Sequence, residues 1–181
     1  MKIGVIVGSL RKESFSRKIA ENLAKLLPAG FEAEFIDIGN LPLYNEEYDD
    51  NNPPEYTAFR NKIKGLEAVL IVTPEYNRSY PAALKNALDI GSRPYGQNLW
   101  SGKPTLLVSQ SIGAIGGFGA NQHLRQVLAF LNMPVLLQPE VYIGNSSSLF
   151  DANGKLTNQD TAGFLQTIID SFIDFIKKHK A

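Results

Sequence analysis

Five short apolar runs, rich in β-branched residues, punctuate this chain at residues 3–7, 33–38, 68–72, 105–109 and 135–143, and segments of helical periodicity fill the intervals. A run that is apolar throughout has no side to turn to water. Separated by helices, such runs predict strands of a parallel sheet covered on both faces. Ile19, Leu23, Leu26 and Leu27 mark one helical stripe, and Leu124, Val127, Leu128 and Leu131 mark another. The last helix carries Phe164, Ile168, Phe172 and Phe175, widened by Leu165, Ile169, Ile173 and Ile176, and ends in Lys177, Lys178, His179 and Lys180 at the negative end of its dipole. Residues 52–64, opening on Pro53-Pro54, predict a weaker helix. No linker divides the 181 residues, so the expectation is a single α/β domain over 1–181, a doubly wound five-stranded parallel sheet in the order 2-1-3-4-5. Ligands of such sheets sit beyond the carboxyl ends of the strands, which directs attention to the loops after Val7, Val72 and Val108.

Composition removes several functions. Lys+Arg and Asp+Glu both number 18, a balance that argues against phosphate-neutralising nucleic-acid binding and against a polybasic membrane surface. There is no cysteine, which excludes disulfides, thiolate metal sites and cysteine nucleophiles. The first apolar run is too short for a signal peptide, and none reaches the roughly 20 residues of a membrane helix; a soluble, cytoplasmic protein is expected.

Each of the three loops is unusual. Gly8-Ser9-Leu10-Arg11-Lys12-Glu13-Ser14-Phe15-Ser16-Arg17 follows the first strand and opens a helix, whose free amides attract an anion. Ser9, Ser14 and Ser16 add hydroxyls and Arg11 a guanidinium, a donor set suited to a terminal phosphate monoester. Ser14 or Ser16 also serves as a helix cap on the plainer reading. The glycines of a G-x-G-x-x-G pyrophosphate loop are absent there, and the partial Walker A likeness of residues 96–103 fails on spacing and on Pro104. The second loop, from Thr73-Pro74-Glu75-Tyr76-Asn77, is stiffened by Pro74, with Pro81 expected in the first turn of the next helix and Ser79 or Tyr80 near its cap. Its amides and aromatic ring suit the polar edge of a flat heterocycle, or else form a capping turn. The third loop, Ser109-Gln110-Ser111-Ile112-Gly113-Ala114-Ile115-Gly116-Gly117-Phe118-Gly119, turns tightly and permits close backbone approach.

Taken together, the three loops resemble those of the NADPH-dependent FMN reductase family, which is flavodoxin-like. The matching residues are Gly8-Ser9-Leu10-Arg11 with Ser14 and Ser16, Pro74-Glu75-Tyr76-Asn77 with Ser79, Pro81 and Leu84-Lys85-Asn86-Ala87 and Asp89, and Gly116-Gly117 with His123-Leu124-Arg125-Gln126. The resemblance implies an FMN-binding enzyme, with Ser9, Arg11, Ser14 and Ser16 on the phosphate, Pro74, Glu75, Tyr76 and Asn77 along the ring and ribityl side, and Ser109, Gln110, Ser111 and Gly113 at the other edge. It implies hydride transfer from NADPH or NADH to flavin N5, then two-electron reduction of a second acceptor: free flavin, a quinone, an azo compound or a metal oxyanion. It also implies a homodimer or dimer of dimers. No protein acid–base pair is needed, which suits a chain whose two histidines, His123 and His179, read as structural or surface residues. Many relatives carry Trp where this chain has Ile90-Gly91 and Arg where it has Gly119, near expected subunit contacts. Residues 40–52 form an acidic face or a rim, and residues 92–101, with Arg93, Tyr95 and Trp100, are the better rim. The competing expectations are a non-enzymatic flavodoxin-type carrier and a Rossmann NAD-binding regulator with Asp37 on a ribose.

Overall fold

Val69–Val72 and Leu106–Val108 are fully or almost fully buried, because their strands are hydrogen-bonded on both edges and covered on both faces. The computed structural model describes residues 1–180. Its elements run β1 (Lys2–Val7), α1 (Phe15–Lys25), β2 (Glu32–Ile36), α2 (Pro54–Lys64), β3 (Ala68–Pro74), α3 (Ala82–Ser92), β4 (Thr105–Gln110), α4 (Phe118–Phe130), β5 (Val141–Ile143) and α5 (Gln159–Lys180), with short 3-10 turns at Glu46–Tyr48 and Ser146–Ser148. The five strands are parallel in the order β2-β1-β3-β4-β5, as the alternation of elements predicted.

The strand period of two divides the core into two layers. Ile3, Val5 and Val7 of β1, Leu70 and Val72 of β3 and Leu106 and Val108 of β4 pack under α1 and α5. Ile6, Val69, Ile71 and Leu107 face the other way, under α2, α3 and α4. Each fully buried Leu, Ile or Val contributes about 1.5–3 kcal/mol from removed apolar surface. Register then sets the site: Val7 lies level with Val72, Thr73 with Ser109, and Pro74 with Gln110, so the three strand exits share one crest.

The fifth strand is shorter than the apolar run suggested. Val135 makes only an isolated bridge to Thr105, and the ladder resumes at Val141. Pro134 and Pro139 have no N–H to give an adjacent strand, and Leu137 turns out to solvent, 69% exposed. Pro81 occupies the cap of α3 rather than its first turn: its carbonyl accepts from the Leu84 and Lys85 amides, and no side chain caps the helix. Ser79 is held instead in a turn with Tyr76.

Residues 92–101 also differ from the expected rim. Trp100 is fully buried, its Nε1 donating to the Leu88 carbonyl at 2.9 Å and its ring meeting Phe59 at 6.2 Å. Ile90 and Gly91 are interior, not an accessible face, because the indole lies directly against Gly91. Only Tyr95 of the expected rim aromatics stands out, 90% exposed. The acidic loop is not simply solvated: Arg93 reaches Asp49 at 2.7 Å and Glu46 at 2.8 Å. Those two carboxylates, Asp49 foremost, hold the guanidinium further above its ordinary range.

A Cβ on residue 91 would lie 2.4 Å from Trp100 Nε1. Gly91→Ala should therefore destabilise by about 1–3 kcal/mol of overpacking, read as a lower urea midpoint. Gly65→Ala is the matched control: its Cβ finds only ordinary contact at 3.6 Å and its φ of −79° suits alanine, so the midpoint should stay or rise slightly.

Candidate active site at the crest of the sheet

Ser14 shows how the first loop is built. Its backbone is extended and its Oγ accepts the Arg17 amide at 3.2 Å, so it caps α1. The amides of Phe15 and Ser16, at the start of that helix, have no carbonyl to reach within it and attract an anion. Ser9 Oγ accepts the Arg11 amide at 3.3 Å, curling the loop. Arg11 then lays its guanidinium 5.3 Å from the Phe15 ring centroid and donates through Nε to the Glu13 carbonyl at 2.9 Å.

Across from it, Pro74 leads into a tight turn. Tyr76 and Ser79 exchange backbone hydrogen bonds at 2.8 and 2.9 Å, and the two residues between them, Asn77 and Arg78, have φ of 50° and 66°. Asn tolerates that left-handed region, which gives Asn77 a conformational task in the turn. Glu75 is turned aside: its Oε2 accepts the Ala120 amide at 3.1 Å at the start of α4, where a carboxylate meets the positive helix end. This accounts for Gly119. A Cβ there would lie 2.9 Å from Glu75 Oε2 and 2.8 Å from the Arg78 carbonyl, leaving no room for a larger side chain.

Beneath the third loop lies a buried polar ladder. Gln110 Nε2 donates to Ser16 Oγ at 2.8 Å, and Ser146 Oγ donates to Gln110 Oε1 at 2.7 Å. Beside it, Ser109 Oγ donates to the Gly116 carbonyl at 2.9 Å. Gly116 and Gly117, at φ of 67° and 77°, let the loop turn against the Tyr142 backbone. No buried side-chain polar atom among the described residues lacks a partner.

Two cavities open on this crest. One, of about 150 Å³, is lined by Ser9, Arg11, Ser14, Phe15, Pro74, Glu75, Tyr76, Gln110, Ser111 and Ile112. The structure thus brings together eight of the twelve residues singled out from the sequence. Ser16, Asn77, Ser109 and Gly113 stand outside this lining: Ser16 and Ser109 are wholly buried beneath it, while Asn77 and Gly113 are at loop tips. Phe15 and Ile112 escaped the sequence reading, though an apolar residue inside each polar loop was the visible sign. The other cavity, of about 720 Å³, lies on the β2 side of the same loop and shares Ser9 and Arg11 with the first.

A 2-1-3-4-5 parallel sheet with a hydroxyl- and guanidinium-lined cleft at its carboxyl crest defines a flavodoxin-like protein. Comparison with known proteins makes this specific. The family model for NADPH-dependent FMN reductase matches residues 1–148, and the chain belongs to that family. It is 54% identical over 180 residues to a quinone reductase of Pseudomonas putida, covering 99% of this chain and 96% of that protein. It is 47% identical over 180 residues to a 2-hydroxy-1,4-benzoquinone reductase of a Burkholderia species, covering 99% and 98%. Among solved structures, the flavoenzyme NAD(P)H:(acceptor) oxidoreductase FerB of Paracoccus denitrificans superposes with a TM-score of 0.92 at 40% identity, covering 98% of each chain. The protein is accordingly an NAD(P)H-dependent flavin oxidoreductase that uses FMN, in place of the carrier and regulator alternatives.

The residues fit that group chemically. A phosphate dianion asks for several short donors and a cation, which the first loop supplies; at about 150 Å³ the cleft is smaller than a whole small-molecule site, so it suits the phosphate end of the group and leaves the rest on its open side. Gln110→Leu should leave the Ser16 and Ser146 hydroxyls unpaired. We expect a loss of about 1–3 kcal/mol for each, seen as a lower thermal midpoint, together with weaker FMN binding in a fluorescence titration.

Proposed function

We propose that this protein is a quinone reductase that holds FMN in the cleft between the loops after β1, β3 and β4. The carrying observation is that one small cleft gathers Ser9, Arg11 and Ser14 of the first loop with Pro74, Tyr76, Ser111 and Ile112 of the other two. In this reading Arg11, Ser9, Ser14 and the Phe15 and Ser16 amides bind the phosphate. Ser16 also acts from below, positioning Gln110. Tyr76, Pro74 and Ile112 flank the ring, while Ser111, with Gly113 in the same turn, offers polar atoms at its edge; Ser111 Oγ already accepts the Gly113 amide at 3.1 Å. Asn77 and Ser109 shape their loops, and Glu75 fixes the start of α4, which keeps its negative charge away from the phosphate end.

FMN, when bound, supplies two-electron transfer between NAD(P)H and an acceptor. The chain's part is to bind and orient: a cation and helix-start dipoles for the phosphate, and an apolar surface for flat partners. The relatives named for quinone reduction support a quinone as acceptor. Tyr76 and Ile112, which line the cleft and stand 51% and 67% exposed at its mouth, offer a flat molecule an apolar landing. The same exposed residues support a homodimer closing over that mouth, with size-exclusion chromatography and light scattering as the check. We further propose that residues 1–181 work as one domain, in the cytoplasm where reduced pyridine nucleotides are available.

Purified protein should be yellow, and should oxidise NADPH in the presence of a benzoquinone. Arg11 is exposed and packs only on Phe15 and its own loop. Arg11→Ala should therefore weaken FMN binding about tenfold to a hundredfold, the worth of one charge-assisted hydrogen bond, with an unchanged thermal midpoint in the flavin-free form. A variant that retains flavin as tightly as the parent would overturn the assignment.

A further inference from the structure

The larger crest cavity, on the β2 side of the first loop, shares Ser9 and Arg11 with the flavin cleft, and the rest of its lining has no task in the flavin reading. Leu10, Arg11 and Lys12 of the loop and Arg17 of α1 form one wall; Phe35 and Ile36 of β2 and Asp37, Ile38 and Gly39 just beyond form the other. Its volume of about 720 Å³ lies within the roughly 300–1,000 Å³ range of small-molecule sites. Its charges are arranged. Asp37 Oδ1 accepts the Gly39 amide at 2.9 Å, which fixes the carboxylate at the carboxyl end of β2. The Arg17 guanidinium lies 4.1 Å from the Phe35 ring centroid and is braced by Glu21 at 2.7 Å. Lys12 is exposed and makes no ion pair among the described residues, although the chain as a whole carries no net charge.

A fixed carboxylate suits the hydroxyls of a ribose, cations suit a phosphate, and the apolar wall suits a base. In dinucleotide-binding sheets of the Rossmann type an acidic residue at the end of the second strand accepts the 2′-hydroxyl of an adenosine ribose, whereas a nearby cation accommodates a 2′-phosphate; the glycine-rich loop of those sheets is absent here, so only this pairing of groups is shared, not the path of the pyrophosphate. Here both groups face one groove, and the groove adjoins the flavin cleft through Ser9 and Arg11.

We propose that this groove takes the adenosine end of the pyridine dinucleotide, with Asp37 accepting from the ribose of NADH and with Lys12 and Arg17 binding the 2′-phosphate of NADPH. It rests on the flavin reading only for where the nicotinamide end lies. The two determinants oppose each other, since Asp37 repels the phosphate that the cations attract. The protein should therefore use both nucleotides, and its preference should move in opposite directions when one determinant is removed.

The test uses flavin-loaded protein, the Lys12→Ala/Arg17→Ala double variant and Asp37→Asn, whose amide oxygen still serves the Gly39 turn. Isothermal titration calorimetry with 2′,5′-ADP should show binding to the parent that weakens about tenfold or more in the double variant. The KM for NADPH should rise by a similar factor while that for NADH, the kcat and the flavin absorbance stay unchanged. Asp37→Asn should raise the KM for NADH and leave or lower that for NADPH. Equal shifts for both nucleotides, or 2′,5′-ADP binding indifferent to the double variant, would overturn the proposal. Loss of flavin from the double variant would also overturn it, by giving the groove to the flavin phosphate. So would binding of 5′-AMP that NADPH does not displace, which marks a separate regulatory nucleotide. If the parent itself takes up no flavin, the flavin reading fails, and the calorimetric comparison still decides this one.

Discussion

Parallel pairing of β1, β3 and β4 levels three strand exits, and every chemical property of the crest depends on that. Because the strands are apolar on both faces, they must be sandwiched between helices, and each crossover must leave from the same edge. The pairing of Pro74 with Gln110, next to that of Val7 with Val72, brings loops separated by tens of residues into one cleft. A slip of one residue in any pairing would turn core side chains to the opposite face, so burial itself protects the geometry of the site.

Above this apolar sheet the protein places polar groups at two depths. Ser109, Gln110, Ser16 and Ser146 are buried and satisfied by one another and by the backbone. They tie the end of β4 to the first turn of α1 and to the segment after β5. Ser9, Arg11 and Ser111 lie higher and line the cleft. The lower group holds the loops still, which lets the upper group meet a ligand without reorganising. Glu75 belongs to the holding set although it lines the cleft, since its carboxylate is engaged by α4 and by Arg78 at 3.6 Å.

The charge distribution of the crest is uneven in a chain with none in total. Arg11, Lys12 and Arg17 gather around the first loop, whereas acidic residues near Asn45 are drawn off by Arg93 at the C-terminal end of α3. Arg11 stands where both cavities meet. A flavin phosphate and a nucleotide phosphate would thus share one cationic ridge.

The local sequence determined most of the element types and the three loops, because apolar period, helix caps and special turn residues act over a few positions and need no knowledge of the rest; the strand order followed only from the fold class those elements imply. The local sequence also marked Ser9, Arg11, Ser14, Pro74, Tyr76 and Ser111, whose polar or aromatic groups follow strand ends directly. What tertiary structure alone decided is which hydroxyls face the cleft and which are consumed below it. Ser14 and Ser16 look alike in the chain, yet Ser16 lies under Gln110, a residue 94 positions away. The same holds for Trp100, read as a rim residue and found against Gly91, and for the groove that joins Arg17 to Asp37. Hydrogen bonds and packing between distant segments are written in no short stretch of residues; they exist once the sheet has closed.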